Sequence, residues 1–173
     1  MGAANEIVAI VDRNNNLIGS ASRQQMRAAG LPHRATYILV FNSEGHLFVQ
    51  KRTTTKDIYP GYYDPAAGGV VLAGETYEQA AYRELREEMG IANTLIEEQF
   101  DFFFEEASLL VWGRVFSCTY EGPLKLQADE IEGGSFMPIP DILALAASER
   151  FANDSLEALR RYLGREPLLE PPN

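Results

Sequence analysis

The stretch from Gly68 to Ile91 constrains this chain more than any other. Thr76-Tyr77-Glu78-Gln79 has the form of a capping box, in which side chains satisfy the free N–H groups at a helix start. Gly90 stands where a glycine commonly ends a helix, so the spacing predicts a helix between the two. At about 100° per residue, Glu84, Glu87 and Glu88 share one face of it. Like charges so placed cost roughly 0.2–0.5 kcal/mol per pair, so the face calls for Arg83 or a hard divalent cation to offset it. Mg²⁺ suits such a face, because it takes a few protein oxygens and completes its shell with water and substrate phosphate. The loop before the helix, Gly68-Gly69-Val70-Val71-Leu72-Ala73-Gly74-Glu75, adds a close-approaching backbone and a fourth acid. Glutamates on a helix are more often a solvated face than a metal site, so the helix alone does not decide.

Around this centre the chain reads as strands and turns. Ile7 to Val11 and Leu17 to Ala21 form a hairpin about Arg13-Asn14-Asn15-Asn16. Ser22-Arg23-Gln24-Gln25 is a second capping box, opening a short helix that Gly30 and Pro32 stop after about Ala29. Ala35 to Phe41 and Leu47 to Arg52 form a second hairpin, and Thr53 to Gly74 reads mostly as loop. Phe100 to Phe104 and Leu109 to Tyr120 read as strands. The second sets Leu110, Trp112, Phe116, Cys118 and Tyr120 on one face, which makes Cys118 a core residue rather than a nucleophile. A strand over Gly134 to Met137, a helix over Pro140 to Ala147, and a last helix capped by Asp154 with Leu156, Leu159 and Leu163 on one face complete the order. That order predicts an α/β (α+β) fold in a single domain over residues 1–165, with a hairpin extension over about 6–30 and a loose tail over 166–173.

Charge narrows the partners. Fifteen Lys and Arg against 25 Asp and Glu give a net charge of −10, which opposes long nucleic acid and anionic membrane. Residues 20–56 nonetheless carry six cations against Glu44 alone, and residues 75–98 carry seven acids against Arg83 and Arg86. A basic segment and an acidic one suit an anionic substrate held through a metal ion. One cysteine and two histidines cannot build a structural zinc site, and the absence of a secretory or membrane-spanning pattern makes a cytoplasmic setting the expectation.

From Gly69, five residues lead to Glu75 and seven more to Arg83-Glu84-Leu85, followed by Glu87-Glu88, Gly90 and Ile91. Every fixed position of the Nudix hydrolase signature is met, and the chain is identified as resembling that superfamily. Tyr59-Pro60-Gly61 resembles the segment that precedes the signature in many members. Leu31-Pro32-His33-Arg34-Ala35 and the hairpin to Gln50-Lys51-Arg52 resemble the branch that includes isopentenyl diphosphate isomerases.

The resemblance implies an α/β/α sandwich with a mixed sheet, and Mg²⁺- or Mn²⁺-dependent cleavage of a phosphoanhydride bond in a nucleoside di- or triphosphate or other nucleoside-diphosphate derivative. It implies that Glu84, Glu87 and Glu88 hold the metal with the Gly68 carbonyl, that Arg83 orients a glutamate, and that Gly69 and Glu75 support the loop. For the proton acceptor the candidates are Glu105, Glu106, Asp129, Glu130 and Glu132, with Glu130 preferred. Arg34, Lys51 and Arg52 are candidates for substrate phosphate, against the plainer reading of exposed strand-edge charge. His33 stands where the isomerases place a metal ligand but reads more simply as structural, and His46 belongs to a turn. Tyr62, Tyr63 and Phe102 are either base-stacking or core residues.

An isomerase activity is disfavoured, because Asp64-Pro65-Ala66-Ala67 lacks the cysteine of that branch. A non-catalytic nucleotide-binding module is the alternative, although such proteins usually lose part of the acidic cluster. Hydrolysis of capped RNA is disfavoured by charge. A small nucleotide and a homodimer are the expected partners.

Overall fold

The computed structural model describes residues 3–165, so the expected tail over 166–173 lies outside the described residues. After a 3₁₀ turn at Ala3–Asn5, the elements are β1 (Ile7–Val11), β2 (Leu17–Ser22), α1 (Arg23–Ala29), β3 (His33–Phe41), β4 (Leu47–Arg52), β5 (Tyr63–Asp64), α2 (Tyr77–Met89), β6 (Glu97–Glu106), β7 (Leu109–Thr119), β8 (Ile131–Met137), α3 (Ile139–Ala146) and α4 (Asn153–Gly164). The sheet is mixed. β3 and β7 run parallel from His33↔Val111 to Phe41↔Thr119, while β1–β2, β3–β4, β4–β8 and β6–β7 pair antiparallel.

β3 explains the layering. Its Ala35, Tyr37 and Leu39 point to one face, where they pack with Val111, Val115, Ile142, Leu156 and Leu159 under α3 and α4. Ile38 and Val40 point to the other, against Ala80, Ala81, Leu85 and Met89 of α2. This is the α/β/α sandwich, and it accounts for a near-continuous apolar strand: both faces are covered. A third, smaller cluster seats α1 through Met26 on Val8, Ile10 and Val70.

The free edge of β3 is shared by three segments in turn. β1 meets it at His33, the glycine loop meets it at Ala35 and Ile38, and β4 meets it at Phe41. The loop is stitched there by backbone hydrogen bonds, Thr36 N to Gly69 O at 2.9 Å, Ile38 N to Ala67 O at 2.7 Å and Val71 N to Arg34 O at 2.9 Å.

Helix starts follow their caps. Ser22 and Thr76 both form full capping boxes, with Gln25 and Gln79, and Gly30 and Gly90 end α1 and α2 in left-handed geometry. Strand ends depart from the sequence reading. β6 and β8 run well beyond Phe100–Phe104 and Gly134–Met137 because β7 and β4 pair with them over their whole length, and β5 forms inside the expected loop by pairing Tyr63 with Lys51. Asp154 does not cap α4. The helix starts from Ala152, whose N–H is held by Tyr63 O, and Asp154 turns inward to accept from the Tyr37 hydroxyl at 2.7 Å. Leu163 is 41% exposed, and Tyr162 packs on Phe41 instead.

Candidate active site

Arg83 is the hub of the signature. Its guanidinium grips Glu75 with two bonds, Nε to Oε2 at 2.6 Å and Nη2 to Oε1 at 3.0 Å, and Nη1 reaches Glu84 at 2.9 Å and Glu87 at 3.3 Å. Nη2 also donates to Val70 O at 3.3 Å, so one side chain ties the helix to the loop. Burial raises the proton affinity of Glu75, but the bond from Arg83, the Leu72 N–H and the charge of Arg83 outweigh it and hold the carboxyl below its usual range. Glu75 is thereby fixed as an anion that supports Arg83.

Two glycines let the carboxylates into the loop. A side chain at Gly69 would place Cβ 2.7 Å from Glu84 Oε1, and one at Gly68 would lie 2.1 Å from the Thr36 carbonyl oxygen at a φ of +131°. Only glycine fits at position 68, where the neighbour is backbone, whereas a side chain at position 69 would displace the Glu84 carboxylate. The Gly68 N–H donates to Glu88 Oε1 at 3.0 Å, and Glu88 is 5% exposed. Burial first, then the charge of Glu84, pushes Glu88 well above the ordinary carboxylate range. Burial raises Glu84 as well, against the opposing pull of Arg83. Glu87 remains half exposed at the mouth.

The helix acids open onto a cleft whose far wall holds Arg23, Lys56, Asp129 and Glu130. Lys56 forms an ion pair with Glu130. The structure thus gathers Glu84, Glu87, Glu88, Arg83, Gly68, Gly69 and Glu130 at one place. Asp129 lines the cleft too. Glu105 and Glu106 do not: the first pairs with Arg13, and the second accepts from the Tyr59 hydroxyl and Asn153. Glu132 faces a separate groove beside Lys51 and Tyr63.

The three candidate phosphate cations lie elsewhere. Arg34 donates to the Asn15 side chain and carbonyl, both at 2.8 Å, and its guanidinium lies 5.3 Å from the Tyr77 ring. Lys51 sits over Tyr63, on the opposite face of β4 from the buried Gln50. Arg52 is turned inward to Asp64 and the Ile58 carbonyl. Besides Arg83, the cations that reach the cleft are Arg23 and Lys56, which the sequence shows only as members of the basic segment 20–56. Arg23 follows the Ser22 cap as the first residue of α1, a position that by itself does not say which way the side chain turns.

His33 is buried, its Nδ1 lies 2.9 Å from the Leu31 carbonyl, and burial with the charges of Arg27 and Arg23 lowers it to about 4. It is neutral and structural. His46 remains in its turn near Glu44. Tyr63 packs on Phe151, Tyr62 on Tyr59 and Phe102 on Tyr37, so all three are packing residues. Cys118 is buried under α2, where burial pushes its thiol up to about 11.

The donor set fits a hard divalent cation: oxygen only, with three carboxylates and loop backbone on one cleft wall. Among the described residues no three acids already encircle a single point, because Arg83 engages Glu84 and Glu87 while Glu88 is turned to Gly68.

A mixed sheet between helices, with a glycine loop feeding an arginine-ordered glutamate helix, defines a class of hydrolase. The NUDIX domain family model matches residues 31–162, and this chain belongs to the Nudix family. It is 48% identical over 160 residues to an uncharacterized Nudix hydrolase of Yersinia pestis, covering 92% of this chain and 87% of that one. It is 45% identical to the uncharacterized Nudix hydrolase YfcD of Escherichia coli, over 94% of this chain and 89% of the relative. Among solved structures, DR0079 from Deinococcus radiodurans superposes with a TM-score of 0.80 at 27% identity, covering 90% of this chain and 98% of its own.

Proposed function

We propose that this Nudix hydrolase cleaves a phosphoanhydride bond in a nucleoside di- or triphosphate or another nucleoside-diphosphate derivative, and that the reaction depends on Mg²⁺ or Mn²⁺. The observation that carries the reading is the cleft that Glu84, Glu87 and Glu88 line together with Arg23 and Lys56. Carboxylates able to hold a cation, in one cleft with an ammonium and a guanidinium able to meet phosphate, match a metal-bound diphosphate. Glu84, Glu87 and Glu88 would hold the cation, which when bound neutralises phosphate charge and acidifies water. Arg83 positions Glu84 and Glu87, and Glu75 keeps Arg83 in place. Lys56 and Arg23 attract the phosphates. Glu130, whose carboxylate pairs with Lys56 beside the cleft, accepts the proton from the attacking water once phosphate takes its place on the lysine. The buried, lone Cys118 is compatible with a reducing, cytoplasmic setting.

The test is a panel of nucleoside di- and triphosphates, nucleotide sugars and dinucleotides with Mg²⁺ or Mn²⁺, the products resolved by chromatography. Turnover is expected, with loss on chelation and a fall in kcat of about 10²-fold or more for Glu88→Gln. Turnover unchanged in Glu88→Gln at saturating Mg²⁺ would remove the assignment. Nucleotide binding without turnover would favour a binding module.

A further inference from the structure

Ala3, Glu6 and Arg23 line the cleft, yet all precede residue 31, where the family match begins. Arg23 is the cation among them. It is the first residue of α1, where a positive charge opposes the helix dipole, so its placement is set from outside the helix.

Asp57 sets it. The carboxylate takes Arg23 at two points, Nε to Oδ2 at 2.9 Å and Nη2 to Oδ1 at 3.4 Å, and it also accepts from Arg27 Nε at 3.1 Å. Glu6 receives Nη1 of Arg23 at 3.4 Å, on the other branch of the fork. The Arg23 side chain is only 13% exposed. Burial raises the proton affinity of Asp57, but the charges and hydrogen bonds of Arg23 and then Arg27 outweigh it and hold the carboxyl well below its usual range. Among the described residues the remaining N–H groups of Arg23 take no partner, and its charge is felt by the Glu84 carboxylate.

Asp57 is held in turn. Its loop, between β4 and β5, is tied to the cleft by Thr53, whose N–H donates to Glu130 O at 3.2 Å and whose hydroxyl donates to Asp129 O at 3.0 Å. Lys56, the residue before Asp57, pairs with Glu130. One loop therefore brings its own ammonium to the cleft and fixes a guanidinium that comes from a different segment.

We infer that Asp57 is a positioning residue, which holds Arg23 at the cleft so that its uncommitted N–H groups meet a substrate phosphate, and that the segment before residue 31 is thereby part of the catalytic site. The inference rests on the hydrolase reading for the nature of the anion. A carboxylate that merely neutralised Arg23 would compete with phosphate, so the two roles predict shifts of opposite sign.

Titration calorimetry with methylenediphosphonate in Mg²⁺, a diphosphate mimic whose P–C–P bridge is not hydrolysed, tests it without turnover. Arg23→Lys keeps the charge and loses the two-point grip, while Asp57→Asn keeps an acceptor and loses the charge that holds the guanidinium. Each should weaken Kd by about tenfold. In the double variant the second change should add less than about twofold, because a positioning residue then has nothing left to position. With a substrate that turns over, Asp57→Asn should raise KM more than it lowers kcat, since the reacting glutamates are untouched. Tighter binding by Asp57→Asn, additive losses in the double variant, or an Arg23→Lys variant that binds like wild type overturns the inference, as does failure of the wild-type chain to bind the mimic. Should thermal melts show Asp57→Asn unfolded, Arg23→Lys decides, because there Asp57 keeps a cation beside it. A chain that shows these shifts yet turns over no nucleotide refutes the hydrolase reading and leaves this one intact. Turnover in a chain whose two variants bind the mimic like wild type does the reverse.

Discussion

Gly68 and Gly69 are adjacent, yet replacing them should fail in different ways. At Gly69 an added methyl meets a side chain, the Glu84 carboxylate at 2.7 Å, whereas at Gly68 it meets the fixed Thr36 backbone at 2.1 Å. Gly69→Ala should therefore fold and lose about 10²-fold in kcat, the usual scale for displacing a site group by an ångström. Gly68→Ala should lose about 2 kcal/mol or more of stability, because the backbone itself must give way. Urea titrations beside kcat separate the two outcomes, and equal effects of both variants on stability would refute the distinction. At this scale the acids of the signature were legible in the sequence, because helical spacing alone brings Glu84, Glu87 and Glu88 to one side. The cations were not. Arg34 and Arg23 look alike in sequence, and what separates them is that Asn15 takes the first while α1 delivers the second to the cleft.

Elements were legible where their ends are decided locally. The caps of α1 and α2 are made by residues three apart, so the sequence carries them in full. Thr76 Oγ1 accepts from Gln79 N at 3.1 Å, and Gln79 Oε1 accepts in turn from Thr76 N at 3.0 Å. Thr76→Ala should cost about 1 kcal/mol, read as a Tm lowered by roughly 2–4 °C, with kcat nearly unchanged because Arg83 still ties the helix to the loop. A large loss of kcat without a fall in Tm would show that the cap steers the acids directly. Strand ends are decided by distant partners. Glu97 and Glu98 look like loop until Ser117 and Phe116 pair with them, and Asp154 looks like a cap until Tyr37, far away in sequence, claims its carboxylate.

For the molecule as a whole, the buried ionisable groups set how stability follows pH. His33 titrates at about 4 in the folded chain against 6.5 ordinarily, so between those values the unfolded chain takes up a proton that the folded one refuses. Its contribution is complete above pH 6.5 and is lost as pH falls toward 4, on the order of 3 kcal/mol in all. Burial and the nearby charge of Asp64 raise Asp154 to about 6, which acts in the opposite sense over much of the same window. The comparison that isolates His33 is with His33→Asn, whose amide can replace the bond to Leu31 O. Relative to wild type, the variant should gain stability between pH 7 and pH 4, and parallel profiles in chemical denaturation would refute this. The overall architecture was legible because alternating faces of β3 demand cover on both sides, whereas a cavity assembled from α1 and loops at Lys56 and Glu130 has no local pattern to announce it. The stitching of residues 67–71 into the edge of β3 has one more consequence. A loop that shares its amide hydrogen bonds with the central strand can exchange those amides with solvent only when the sheet itself separates. Its amide protons should be among the slowest in the protein, so the signature forms a fixed jaw, and any motion that admits substrate falls to the opposite wall.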